Sequence, residues 1–356
     1  NLGNVTLDYA SGAASTVLNV GSASGTVGLG TLAITDVANV TINSVGVSGS
    51  VGGTIGTASF DTDLKNLSIS TSGGEADLTI GTTNADMSLG GATALTITSN
   101  GSAGITFNNV DLAGGSALTT VTVNANNSDA ADIAVGDVSG AAITSINLNA
   151  ASGADITVGT VDIGDSASAA TVDETITIVQ GQTSNVIMGA ITVSGQGTLS
   201  LDITQNGTAV ADIGTITLVK TGTADAAAQN LTVNALTVAA SGEVAINTID
   251  LTLAGTGAQL TFGTITVSQD GGFSAGVISG TAVNVDISDI TLVVGASASA
   301  NFAGFLALSA GAVGARDITV AAAGSANFGA MTASALGTTT ISLSTSAAVD
   351  FGAISA

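Results

Sequence analysis

Aspartate supplies almost all of the reactive chemistry in this 356-residue chain, and its placement is patterned. Thirteen of the 23 Asp residues stand directly before Ile, Leu or Phe: Asp63, Asp77, Asp111, Asp132, Asp155, Asp162, Asp202, Asp212, Asp250, Asp286, Asp289, Asp317 and Asp350. If the chain coils so that these positions stack, carboxylates of successive turns lie about 4.8 Å apart. Like charges at that spacing repel unless a hard cation sits between them. Calcium is the cofactor this pattern suggests, with Asp132, Asp155, Asp212 and Asp286 as the candidate metal ladder. The same residues admit a second reading, in which Asp favours turns, marks the starts of strands and is solvated there.

Catalysis has little to work with. The chain has no His, no Cys and one Tyr, so the common pairings of nucleophile and base are missing and only carboxylate dyads remain for acid and base chemistry. Some polysaccharide-cleaving β-helices use carboxylates, but they add a basic residue or an aromatic cleft. Here Lys65, Lys220 and Arg316 are far apart in sequence and Trp is absent. No catalytic residue and no enzyme activity are expected. A net charge of −23 excludes a nucleic-acid binder, because phosphate neutralisation requires Lys and Arg. Absence of Cys fits secretion without disulfides.

Thr-x-Thr triplets such as Thr96-Ile97-Thr98, Thr120-Val121-Thr122 and Thr264-Ile265-Thr266 invite comparison with ice-binding solenoids, which need the triplet on nearly every turn. Many positions here carry Ser, Asp, Asn or Ala instead, so that function ranks low. Asn-x-Ser/Thr sequons at Asn4, Asn39, Asn66, Asn100, Asn126, Asn206 and Asn230 are expected from composition alone.

The elements that must position these groups are strands. Ile265 and Val267 alternate with Thr264 and Thr266, whereas Phe262 and Ile265 are three apart and cannot share a face of one flat strand. Gly263 between them permits a corner that resets the phase, so that Phe262, Ile265 and Val267 all point into one core. The pattern of an apolar residue, Gly or a small residue, a turn-tolerant residue and an apolar residue recurs along the chain. Copies include Leu29-Gly30-Thr31-Leu32, Val135-Gly136-Asp137-Val138, Ile213-Gly214-Thr215-Ile216, Val233-Asn234-Ala235-Leu236, Ile287-Ser288-Asp289-Ile290 and Phe351-Gly352-Ala353-Ile354. Ile42-Asn43-Ser44-Val45 and Ile246-Asn247-Thr248-Ile249 match off register. Fifteen slots in all predict an all-β fold, a right-handed parallel β-solenoid (β-helix) of roughly fourteen coils of about 25 residues.

No Pro-rich or charged linker divides the chain, so residues 1–356 read as a single elongated β-repeat domain, an excerpt of a longer chain or a processed one, since it opens on Asn1 without a signal peptide. The uncharged residues 290–315 do not form a transmembrane segment, because Ser, Asn and Gly interrupt them every few positions. The repeat runs to both ends with no polar cap, which predicts self-association, head to tail, through open solenoid ends.

The Gly-Thr-Ile-Thr-Val units, the acidic and Cys-free composition and the scarcity of Lys make the whole chain similar to large bacterial surface proteins exported by type I secretion, including β-repeat S-layer and adhesin-like proteins. That resemblance implies an extracellular or cell-surface location. Such proteins often carry a calcium-binding nonapeptide, but the nearest run, Gly73-Gly74-Glu75-Ala76-Asp77-Leu78, departs from it, so no functional residue carries over. The expected function is an extracellular structural protein assembling into a surface lattice, sheath or filament. The rival is an adhesin stalk or binding module acting as an isolated rod, with a cell-surface glycan as partner.

Overall fold

Alternation of Val, Ile or Leu with Thr, Ser or Asn makes each short segment a strand with one apolar face, and the strands bury that face by stacking turn on turn. The computed structural model describes residues 3–21, 27–45, 53–73, 77–81, 89–108, 110–111, 117–126, 132–164, 171–220, 228–255, 257–280, 286–287, 289–307, 316–332 and 339–355. All the regular structure among them is β, every strand pairing whose register is given is parallel, and the fold is a parallel β-solenoid. The chain divides into two compact units, residues 1–163 with 184–186, and residues 164–183 with 187–356.

In the first unit two parallel sheets enclose a largely apolar interior. One inward column runs Val40, Leu67, Leu95, Val121, Ile146, and the next runs Ile42, Ile69, Ile97, Val123, Leu148. All ten are buried. At about 1.5 to 3 kcal/mol for each fully buried aliphatic side chain, these columns supply the main stabilisation. The residues between them face outward in two further columns: Thr41, Ser68, Thr96, Thr122, Asn147 and Asn43, Ser70, Thr98, Asn124, Asn149. Hydrogen bonds run along the second, from Ser70 Oγ to Asn43 Oδ1 (2.6 Å) and from Asn149 Nδ2 to Asn124 Oδ1 (2.8 Å).

The opposite sheet of this unit places the apolar residue of the repeat motif in register: Leu29, Ile55, Ile80, Phe107, Val135, Val158. The second unit does the same with Ile213, Ile246, Ala275, Phe302, Phe328, Phe351. Partners along these columns are 23 to 33 residues apart. The rings of Phe302, Phe328 and Phe351 stack at 5.2 and 4.8 Å between centroids.

These registers revise the repeat. Ile246-Asn247-Thr248-Ile249, off register by sequence, is a true corner: its strand pairs with Val210–Ile213, and the Gly276 N–H donates to Asn247 O. Val233-Asn234-Ala235-Leu236 and Phe262-Gly263-Thr264-Ile265 instead form a second corner, in the other sheet, between Gln229–Val233 and Leu236–Val238 and between Gln259–Phe262 and Ile265–Val267. Ile287-Ser288-Asp289-Ile290 is displaced from that series: Ile287 pairs with Leu260 and Leu292 with Ile265, so the motif begins two residues before the corner, with Ser288 outside the described residues. One four-residue grammar serves two corners of the same turn. Counting both as one series shortened the apparent repeat, so the coil count is slightly below fourteen and each turn a little longer than about 25 residues.

Phe262, Ile265 and Val267 are all buried, as their spacing around Gly263 requires. The reason for glycine is contact and not dihedral freedom: Gly263 is not at positive φ, and a Cβ there would lie 2.4 Å from the Ala235 nitrogen of the preceding turn. Gly159 plays the same part in the first unit, where a Cβ would meet Asp137 Oδ1 at 2.6 Å. Residues 290–294 and 299–307 are strands, and among the described residues no helix is long and apolar enough to cross a membrane.

Candidate functional site

Aspartate at the start of a strand has a consistent partner. The Asp77 Oδ1 accepts the Gly104 N–H (2.8 Å), Asp132 Oδ1 accepts the Asp155 N–H (2.9 Å), and Asp155 Oδ1 accepts the Asn185 N–H (2.7 Å) while its Oδ2 takes the Asn185 Nδ2 (3.3 Å). Asp137 does the same for the Thr160 N–H (2.8 Å), and in the second unit Asp173 and Asp289 receive the Thr198 and Asp317 N–H groups (2.9 and 2.8 Å). Each acceptor serves a residue 23 to 30 positions on, one turn up the solenoid. The carboxylate therefore clamps the next turn by accepting one of its backbone amides. Asn230 fills the role with its amide oxygen, accepting the Gln259 N–H at 2.9 Å.

Of the four aspartates assigned to a metal ladder, the structure brings Asp132 and Asp155 onto successive turns. Asp212 lies in the second unit, inside the strand Val210–Ile213 beside Ala245 of the following turn, so no carboxylate continues its column there. The Asp286 side chain lies outside the described residues, and its backbone pairs with Gln259. Asp77, Asp132 and Asp155 edge a shallow groove of about 460 Å³, floored by Thr79, Thr106, Ala134 and Thr157.

A tighter acidic group is formed by Asp36, Asp61 and Asp63, whose oxygens lie within 4.8 Å of one another. Asp61 organises it: Oδ2 accepts the Asp36 N–H (2.7 Å) and Oδ1 the Asp63 N–H (3.1 Å). Its backbone carbonyl receives the Gly91 N–H (3.0 Å), and Gly90 and Gly91 allow this close approach, since a Cβ on Gly90 would overlap Asp61 O. Asp36 itself sits at φ 64°, which turns its side chain toward the next corner. Desolvation, then the charges of Asp61, Asp8 and Asp63, hold the Asp36 carboxyl above the ordinary range. Three carboxylates in this arrangement present the oxygen donors that a hard divalent cation takes.

The pattern of Asp before Ile, Leu or Phe contains Asp63 but misses Asp36 and Asp61, which precede Val and Thr. The legible signal was their separation, one turn of the solenoid. Compared with known proteins, the chain matches no family model, no curated protein and no solved structure. Fold and site together define a parallel β-solenoid with stacked, carboxylate-clamped corners.

Proposed function

We propose that this chain is an extracellular structural protein of the bacterial surface that assembles with copies of itself into a lattice, sheath or filament. One observation carries the reading: the outward columns of the first unit, from Thr41 to Asn147 and from Asn43 to Asn149, are uncharged and repeat turn after turn. A neutral ladder of hydroxyls and amides can meet a like surface without the repulsion that a net charge of −23 otherwise imposes. Sustained contact of this kind is lateral. Head-to-tail contact between copies is the second part of the proposal, and Leu343 and Ile354, 52% and 49% exposed, are the apolar side chains it would cover. Calcium at Asp36, Asp61 and Asp63 would lock the first unit in an extracellular setting, which the resemblance to type I-secreted surface proteins also supports. Electron microscopy of purified native protein tests the reading: ordered arrays or fibres are expected, and particles that stay dispersed at all concentrations would sink it.

The groove edged by Asp77, Asp132 and Asp155 favours a second reading, a binding module for a polyhydroxylated cell-surface glycan. Titration of glycans against the protein separates the two, because Thr106→Lys would abolish binding there and leave arrays intact.

A further inference from the structure

Glu174 and Gln229 are buried polar residues of the second unit, 1% and 0% exposed, and neither belongs to the corners described above. Glu174 opens the strand Glu174–Gln180 facing inward, level with Leu199 of the next turn. Gln229 lies two turns on, level with Gly197. The Gln229 side chain reaches back across this turn, and its Nε2 donates to Glu174 Oε2 at 3.2 Å. The Gln229 Oε1 is buried with no partner.

Among the described residues, the strands packed against Glu174 place no cation beside it. Asp173, the residue before it and just outside the strand, carries the same sign and takes the Thr198 N–H. On the strand Gly197–Gln205 the one ionisable group is Asp202, on the outward side, bonded by Asn234 Nδ2. The strand Gln229–Val233 has none. A carboxylate here faces desolvation, the largest effect, and a like charge, against hydrogen bonds from the Gln229 amide and from its own backbone N–H. A carboxylic acid does better. It accepts from Nε2 through one oxygen and offers from the other the O–H donor that the amide oxygen lacks.

We propose that Glu174 is carried as the neutral acid in the folded chain, paired with the Gln229 amide through two hydrogen bonds, and that loss of this proton loosens the second unit. Burial also pushes the Glu174 carboxyl up to about 7 against an ordinary value of 4.5, which supports the geometry and places the change near neutrality. The step is a simple ionisation: the O–H bond breaks, the proton goes to water, and the carboxylate keeps the electron pair. The device is a proton-dependent latch in the interior of the solenoid.

Thermal and urea unfolding of the full chain between about pH 5 and about pH 8 tests it, with Glu174→Gln as the neutral isostere. The unfolding equilibrium constant of the wild type should rise relative to that of the variant by up to about tenfold per pH unit below the folded-state value, then level off. Equal pH dependence in the two proteins would overturn the proposal. Infrared spectroscopy gives a readout independent of the variant's folding: the wild type should show a buried carboxylic C=O band that disappears as pH rises through neutrality. Gln229→Leu should keep that band and shift its frequency, since the acid loses its partner. No protonated-acid band at about pH 5, or no shift in Gln229→Leu, would also refute the pairing.

Discussion

Asp155 receives two hydrogen bonds from Asn185, one from its backbone amide and one from its side-chain amide. Asp155→Ala should lower stability by about 1 to 3 kcal/mol, the cost of losing a charge-assisted bond and exposing its donor. Asp155→Asn should retain most of it, because an amide oxygen does the same work at Asn230. Urea unfolding with and without calcium checks this, and equal damage from both substitutions, present only with calcium, would restore a metal ladder at this position. The acidic triad carries a separate expectation. Calcium should raise the melting midpoint through binding to the folded state alone, and Asp61→Asn should remove the gain. Chelation that leaves the wild-type midpoint unchanged would eliminate the triad as a calcium site. The pH dependence follows from the direction of the Asp36 shift. A carboxyl held above its unfolded value stabilises most below that value, and the contribution is lost as pH rises through the folded one. Bound calcium should flatten this slope, since it favours the ionised form.

Corners are the elements on which the stacking depends. A Cβ at Gly329 would lie 2.0 Å from Ala303 O, a backbone atom that cannot swing away, whereas nothing stands within 4 Å of the same atom at Gly3. Gly329→Ala is therefore expected to cost about 1 to 3 kcal/mol by overpacking. Gly3→Ala, whose φ is ordinary, should be neutral or slightly stabilising. Denaturant midpoints of the two variants measure the difference, and equal midpoints would show that the corners yield. The strands between corners depend on their filling. Phe328 is fully buried between Phe302 and Phe351, and its truncation to Ala should cost about 3 to 5 kcal/mol.

For the molecule as a whole the testable quantity is association. The strand Ile354–Ser355 pairs in parallel with Met331 and Thr332, and Ile354 presents half-exposed apolar surface at that strand edge. Ile354→Lys places a charge on that edge at little cost to folding, because the position is already solvated. Sedimentation should show loss of large assemblies with an unchanged circular dichroism spectrum. Fibres that form as well from this variant as from the wild type would eliminate end-to-end contact and leave lateral packing of the neutral columns as the mode of assembly.

The solenoid class and its strand grammar were legible in the residues alone. Two-residue alternation and recurrent Gly corners are local consequences of side-chain size and backbone sterics, so Phe262, Ile265 and Val267 could be placed inward without coordinates. What the tertiary structure decided was which copies stack. The same four residues suit either of two corners in a turn, and nothing local distinguishes Phe262-Gly263-Thr264-Ile265 from Phe328-Gly329-Ala330-Met331; only the register of the neighbouring turn does. The chemistry of the acids divides in the same way. Whether an aspartate meets a backbone amide, as Asp132 does, or further carboxylates, as Asp36 does, depends on what the next turn places above it. Turn lengths of 23 to 33 residues set that neighbour. Contact between residues a full turn apart is a property of stacking, and neither composition nor a single repeat contains it.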